Sequence, residues 1–198
     1  MGAGKQYHGK LHRERAYGEF DNKCYNRDNG GYSLIELVIV LAIIAIIMSG
    51  VFYSIILIFS ANAKSTANDI QRAIGDCKVT TMGKSSAYME LYRDATNENV
   101  YTKMWVMDSG GSYVASEPQR VGPNRVTVKY RLSGGAAGTG TELAAGDSIE
   151  IWFDRATGGF KADGSGKLYE AICVQGGSKK YEITLTELTG KSEVKAVP

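Results

Sequence analysis

The sequence predicts an α+β fold in which one long N-terminal α-helix packs, by its second half, on a C-terminal antiparallel β-sheet domain. Three observations lead to this prediction. Residues 37–63 contain no charged side chain. Small and apolar residues then recur every three or four positions as far as Thr81. Beyond Gly83, segments rich in valine, isoleucine, threonine and aromatic residues are separated by glycine-rich turns.

The composition of the 198 residues is that of an ordinary globular protein, with 43% hydrophobic and 22% charged residues. A net charge of +2 leaves no excess of cations for a nucleic-acid surface, so nucleic acid is not expected as a partner. The two histidines, His8 and His12, lie close to the N-terminus. If that end is removed, histidine-based catalysis and histidine-ligated zinc are excluded, and we expect neither an enzyme nor a bound metal or other cofactor.

Residues 1–31 come first and are polar, with six basic and four acidic side chains and little apolar material. This segment is predicted to be disordered or removed. Because its cations precede the apolar run, we expect this end to lie in the cytoplasm and the C-terminal part of the chain outside.

The apolar run follows, and residues 37–59 are almost continuously apolar. At ~1.5 Å per residue, about 20 apolar residues cross the hydrocarbon core of a bilayer, so a transmembrane half-helix is predicted here. An ordinary secretory signal is the alternative, because Ala61-Asn62-Ala63 imitates its cleavage site. The apolar region of such a signal is only about 7–15 residues long, which argues against it.

The helix is predicted to continue from Ser33 to Met82 and to stop at Gly83. In its second half, one face collects small and apolar residues, with charged and amide side chains elsewhere. The residues of this face are Ala63, Ala67, Ile70, Ile74, Cys77 and Thr81.

Strands are predicted for the rest of the chain from β-branched and aromatic residues that alternate with polar ones. They are Ser86–Tyr92, Val100–Val106, Arg125–Leu132, Ile149–Phe153, Leu168–Val174, Tyr181–Leu188 and, after a turn at Thr189-Gly190, a last strand near Glu193–Val197. The large aromatic residues Trp105, Trp152 and Phe153 are predicted to lie in the core.

The start of the apolar run reads Gly30-Gly31-Tyr32-Ser33-Leu34-Ile35-Glu36-Leu37. A lone carboxylate at such a place is unusual, since a charge in the bilayer centre costs ~2.5–3.5 kcal/mol on insertion scales. Glu36 therefore either pairs with a cation of a partner or lies at headgroup level, favoured by the positive end of the helix.

This string resembles the class III signal of type IV pilins and type II secretion pseudopilins, in which S/T-L-I-E-L precedes about 20 apolar residues. The resemblance covers residues 30–60 and implies that a prepilin peptidase cuts after Gly31 and methylates the new amine of Tyr32. It also implies that Glu36 compensates the Tyr32 ammonium of a neighbouring subunit inside a filament. The resemblance further implies a leader 1–31, a transmembrane and filament-core helix 32–62, and a globular head 63–198.

The partners that the resemblance implies are the prepilin peptidase, other pilin or pseudopilin subunits in a helical homo- or heteropolymer, an assembly ATPase and its platform protein, and the membrane. The chain would start as a single-pass protein of the cytoplasmic membrane and end in a periplasmic or extracellular filament. A binding module at the filament tip, either an adhesin or a DNA-uptake receptor, is the alternative function. A membrane-anchored enzyme comes third.

The chain departs from the family in three ways: its apolar helix has no proline and reads Gly50-Val51-Phe52-Tyr53, Tyr32 replaces the commoner phenylalanine, and the leader is long. The order of the C-terminal strands and turns is similar to that of H-type minor pseudopilins and related minor pilins. A minor subunit is therefore favoured over a major one.

Two further features have two interpretations each. Cys77 and Cys173 form an even pair once Cys24 is removed with the leader, so they are either bonded as a disulfide or buried as two small hydrophobic residues. The segment Asp163-Gly164-Ser165-Gly166 resembles a calcium loop but lacks the alternating ligands, and a glycine turn is favoured.

Overall fold

The computed structural model of the protein describes residues 32–83, 86–136 and 140–197, without the side chains of residues 51–53, 55 and 56. This part of the chain forms one helix and eleven strands, and the α+β prediction is confirmed. The chain divides into two compact units, Met1–Ala42 and Ile43–Pro198, and all the described strands belong to the second.

The helix α1 runs Leu34–Gly83. Both ends lie within one residue of the predicted limits, and the predicted stop at Gly83 is confirmed. The helical backbone is uninterrupted at Gly50, where a proline is usual in the family that the sequence resembles.

The strands are all paired antiparallel. Their bounds are β1 Ala87–Arg93, β2 Val100–Met107, β3 Tyr113–Ala115, β4 Gln119–Gly122, β5 Thr127–Leu132, β6 Thr141–Glu142, β7 Ser148–Phe153, β8 Phe160–Lys161, β9 Tyr169–Gly176, β10 Lys179–Thr186 and β11 Lys191–Val197. The first sheet has the order β3-β2-β1-β7-β8, with β4 also paired to β2, and the second has the order β11-β10-β9-β5-β6.

The predicted strands are confirmed, but the single predicted sheet is in fact two. Four short strands, β3, β4, β6 and β8, were not predicted. They contain only two to four residues each, which is too short for an alternating pattern to stand out in a sequence. These short strands widen both sheets at their edges.

The core lies where the second half of α1 packs against the inward faces of the sheets. The predicted apolar face of the helix is confirmed, since its residues are at most 1% exposed. They are Ala63, Ala67, Ile70, Ile74, Cys77 and Thr81. The Thr81 hydroxyl contacts the carbonyl oxygens of Cys77 and Ala87 at 2.9 and 3.1 Å, so the end of α1 is tied to the start of β1.

Two glycines let the strands approach the helix closely. A Cβ atom on Gly176 would lie 2.5 Å from the carbonyl oxygen of Phe59, and one on Gly122 would lie 2.9 Å from the hydroxyl oxygen of Thr66. Only a residue without Cβ fits at such distances. The ends of β9 and β4 are therefore held directly against α1.

Arg93 joins several loops at one end of the sheets. It is only 7% exposed, yet among the described residues it has no carboxylate partner. Its guanidinium instead donates to the carbonyl oxygens of Leu143 (2.9 Å), Glu98 (2.9 Å) and Val126 (2.7 Å), and at 3.5 Å to that of Asn124. One buried cation thus connects the loops of the first sheet with those of the second.

We expect Gly190→Ala to lower the free energy of unfolding by about 2–3 kcal/mol. Gly190 has a φ of +58°, and an added Cβ would meet the carbonyl oxygen of Gly158 and the ring of Phe153. Gly164→Ala is the matched control, because a Cβ there meets nothing within 4 Å. Thermal unfolding of the full chain in detergent, followed by circular dichroism, measures both. Equal stability of the two variants would contradict the proposed clash.

Candidate functional site

The candidate processing site lies at the start of α1. Gly31 lies outside the described residues, and Tyr32 is the first residue after it, with 81% of its surface exposed. Ser33 caps the helix, because its carbonyl oxygen accepts from the Leu37 amide at 3.1 Å and its hydroxyl oxygen accepts from the Glu36 amide at 3.2 Å. A serine cap followed three residues later by glutamate is a capping-box pattern.

Glu36 lies in the first turn of α1 and is exposed. Within the described part of the chain its carboxylate has neither an ion-pair partner nor a side-chain hydrogen bond. The positive end of the helix favours a carboxylate at this place, but it leaves both oxygens free to accept. As far as the described residues go, the site therefore presents a negative charge without a partner four residues after Tyr32.

The helix that follows Glu36 presents apolar side chains on every side. All of its described large hydrophobic residues from Leu34 to Met48 are between 44% and 81% exposed. The hydroxyls in this region are satisfied within the helix, since Ser49 donates to the Ile46 carbonyl at 2.7 Å and Ser54 donates to the Gly50 carbonyl at 3.0 Å. This surface is therefore suited to an apolar environment.

No helix among the described residues meets both the length and the hydropathy that a membrane crossing requires. The predicted transmembrane half of α1 is thus not confirmed.

The two cysteines of the predicted pair are not brought together, and both are free thiols. Cys77 faces the core, where burial raises the pKa of its thiol to about 12. Cys173 lies on β9 between the inward-facing Ile172 and Val174, so the pleat turns it to the opposite face of the sheet. There its sulfur lies 3.8 Å from the Glu182 carboxylate, and burial raises its pKa as well.

The segment from Asp163 to Gly166 forms a tight turn. One carboxylate oxygen of Asp163 accepts from the amides of Ser165 and Lys167, both at 2.8 Å, and the other accepts from the Tyr169 hydroxyl at 3.1 Å. The favoured glycine turn is confirmed. No group of three metal-ligating side chains occurs in the ranges that the structure describes.

The prediction that both tryptophans are core residues was wrong. On β7, Ile149, Ile151 and Phe153 point inward and are at most 3% exposed, so Trp152 lies on the opposite face with Glu150. Only Phe153 is in the core. The alternation of isoleucine with polar residues along this strand was the signal that could have placed Trp152 correctly.

Trp152 belongs to a row of stacked rings on the outer face of the first sheet, here named the aromatic ladder: Trp105, Tyr88 and Trp152. Tyr88 on β1 pairs in register with Trp105 on β2 and with Trp152 on β7. The ring centroids are 5.9 and 4.3 Å apart and the planes are nearly parallel. Each indole N–H donates to a carboxylate at 2.8 Å, Trp105 to Glu90 and Trp152 to Glu150. Both indole N–H groups of the ladder therefore have a hydrogen-bond acceptor on the same face.

The family comparison identifies the N-terminal site independently of this geometry. A family model described as the prokaryotic N-terminal methylation motif matches residues 26–52, which include Gly31, Tyr32 and Glu36. No curated protein and no solved structure matches the chain. The chain thus carries a prokaryotic N-terminal methylation motif, which supports a type IV pilin-like protein.

Proposed function

We propose that the chain is a structural subunit of a type IV pilus or a type II secretion pseudopilus. It is made as a precursor in the cytoplasmic membrane, with its N-terminus inside. A prepilin peptidase cuts after Gly31 and methylates Tyr32, and an assembly ATPase with its platform protein moves the subunit into a helical filament outside the cytoplasm.

The observation that carries this proposal is the bare apolar surface of α1, most of which lies within the matched methylation motif, residues 26–52. Water is a poor environment for a helix whose apolar side chains are exposed all round. In the membrane, lipid would cover residues 37–59. In a filament, the apolar helices of neighbouring subunits would replace the lipid, so the transfer changes little in hydrophobic free energy.

The carboxylate of Glu36, which has no ion-pair partner in the part of the chain that the structure describes, supports the filament step. Cleavage after Gly31 creates an ammonium group on Tyr32, at the positive end of α1, where a cation is unfavourable. A carboxylate of an adjacent subunit offsets this charge. Because an ion pair in an apolar core depends steeply on distance, the contact also sets the axial position of one subunit against the next.

We propose further that the subunit is a minor one. This proposal rests on the sequence, in which the order and spacing of the strand and turn signals, with the closing Thr189-Gly190-Lys191 turn, resemble those of H-type minor pseudopilins and related minor pilins. A minor subunit would copolymerise with a major pilin rather than form the filament alone.

Processing tests the proposal first. Co-expression with a prepilin peptidase should remove residues 1–31 and yield a methylated Tyr32 as the new N-terminus, which N-terminal sequencing and mass spectrometry detect. Gly31→Ala should still be cut and Gly31→Leu should not, because a bulky side chain hinders the approach of the protease to the backbone. An N-terminus at Lys64 in wild type would instead show an ordinary secretory signal and overturn the proposal.

A further inference from the structure

Cations gather where the apolar run of α1 meets the folded domain. The Arg125 guanidinium lies 5.4 Å from the centre of the Phe59 ring, and Phe59 is the last large apolar residue of the run. The end of β9 reaches the same level, because Gly176 lies against the carbonyl oxygen of Phe59 and the Cβ of Ala63. The turn that follows Gly176 leads to Lys179.

Three exposed cations lie close to the end of the apolar run. Lys64 is the first charged residue after Glu36 and follows Phe59 by five positions, about 7.5 Å along a helix. Arg125 is exposed on the loop between β4 and β5, and Lys179 is exposed at the start of β10. Neither lysine has an ion-pair partner among the described residues. Lys64, Arg125 and Lys179 are named the basic rim.

We propose that the basic rim binds anionic lipid headgroups around the point where α1 leaves the bilayer, and so docks the head domain on the membrane before assembly. The inference rests on the proposed function, which puts residues 37–59 in the bilayer. A membrane whose hydrocarbon ends near Phe59 then has its headgroups at the level of these three side chains.

Charge complementarity favours lipid as the occupant. An anionic bilayer surface is a continuous layer of phosphate charge around the helix. The rim side chains come from three separate elements around the helix, so each of them can meet this layer. Asp94, Glu98 and Asp147 lie on turns of the first sheet, and Asp69, which follows Lys64 on α1, accepts a hydrogen bond from the Ser65 hydroxyl at 3.2 Å. The Arg125–Phe59 pair also combines an aromatic ring with a cation, a pairing suited to the membrane interface.

The inference is tested by varying the charge of the lipid around the full chain. The chain is reconstituted at low protein density into vesicles of phosphatidylcholine alone or of phosphatidylcholine with about a third phosphatidylglycerol. Hydrogen exchange of the amides in residues 124–126 and 176–180 reports docking. We expect slower exchange in the anionic vesicles, with the difference lost at high salt, because salt screens exposed charges.

The matched variants carry the same change in charge. Lys64→Gln/Arg125→Gln/Lys179→Gln should lower the docked-to-free ratio on the order of a hundredfold, since each cation near an anionic surface contributes about fivefold. Lys161→Gln/Lys167→Gln/Lys191→Gln, at exposed positions towards the opposite ends of the strands, should leave it unchanged.

The outcomes separate the inference from the proposed function. If the chain resists carbonate extraction but its hydrogen exchange does not depend on lipid charge, the docking inference alone is overturned. If hydrogen exchange in phosphatidylcholine vesicles slows as the protein density rises, the docking inference is also overturned, because the basic rim then contacts a second copy of the chain. If carbonate extracts the full chain from the vesicles, the proposal that the precursor is anchored in the membrane is itself overturned.

Discussion

Glu36→Ala is expected to be absent from sheared filaments while its precursor is still inserted and cut after Gly31. Without the carboxylate, each Tyr32 ammonium would be buried without a counter-charge. Removing one partner of a buried pair costs ~3–5 kcal/mol, which lowers incorporation by a factor of hundreds or more. Immunoblots of the filament and cell fractions measure the ratio, and N-terminal sequencing of the cell fraction confirms the cut.

Two further variants separate the ion pair from the helix cap. Glu36→Gln keeps a side chain that fits the capping box with Ser33 but carries no charge, so it should fail in assembly as Glu36→Ala does. Glu36→Asp should be intermediate, because its charge remains on a shorter side chain. Glu117→Ala removes an exposed carboxylate in the head and serves as the control. Wild-type recovery of Glu36→Ala would leave only the helix-dipole role for Glu36.

Arg93→Met should lower the free energy of unfolding by about 4 kcal/mol, and the Tm by on the order of 10 °C. Methionine fills part of the volume but leaves the carbonyl oxygens of Leu143 and Val126 without their donor in a buried place, and that of Glu98 without it in a half-buried one. Arg93→Lys should lose about half as much, because a single ammonium cannot reach carbonyl groups on three sides.

Urea unfolding of the full chain in detergent, followed by the near-ultraviolet circular dichroism of the aromatic ladder, measures this loss. Arg120→Met, at an exposed position on β4, is the control and should change stability by less than about 0.5 kcal/mol. If Arg93→Met were as stable as Arg120→Met, the bonds of the Arg93 guanidinium would not hold these loops together.

The candidate site was predictable because its signals are local. The motif around Gly31, Tyr32 and Glu36 is one contiguous string, and the serine cap of α1 follows from the spacing of Ser33 and Glu36 alone. The described geometry adds that Glu36 has no ion-pair partner among the described residues, a property that depends on distant residues and that no local string contains.

The long elements were determined by the sequence in the same way. The buried face of α1 from Ala63 to Thr81 follows from the period of the helix, and the stop at Gly83 and the turn at Gly190 follow from glycine. The periodic pattern lies within a single element, so the sequence of that element is enough to predict which of its faces is buried.

Only the tertiary structure decided which residues from distant segments of the chain come into contact. The sheet pleat turns Cys173 away from Cys77, and it places Trp152 beside Tyr88 and Trp105 on an outer face. The four short strands exist because longer neighbours offer them a free edge. Arg93 is buried because carbonyl groups from separate loops converge on it. Each of these depends on the partners that folding brings together, and a residue's own neighbours in the sequence do not specify them.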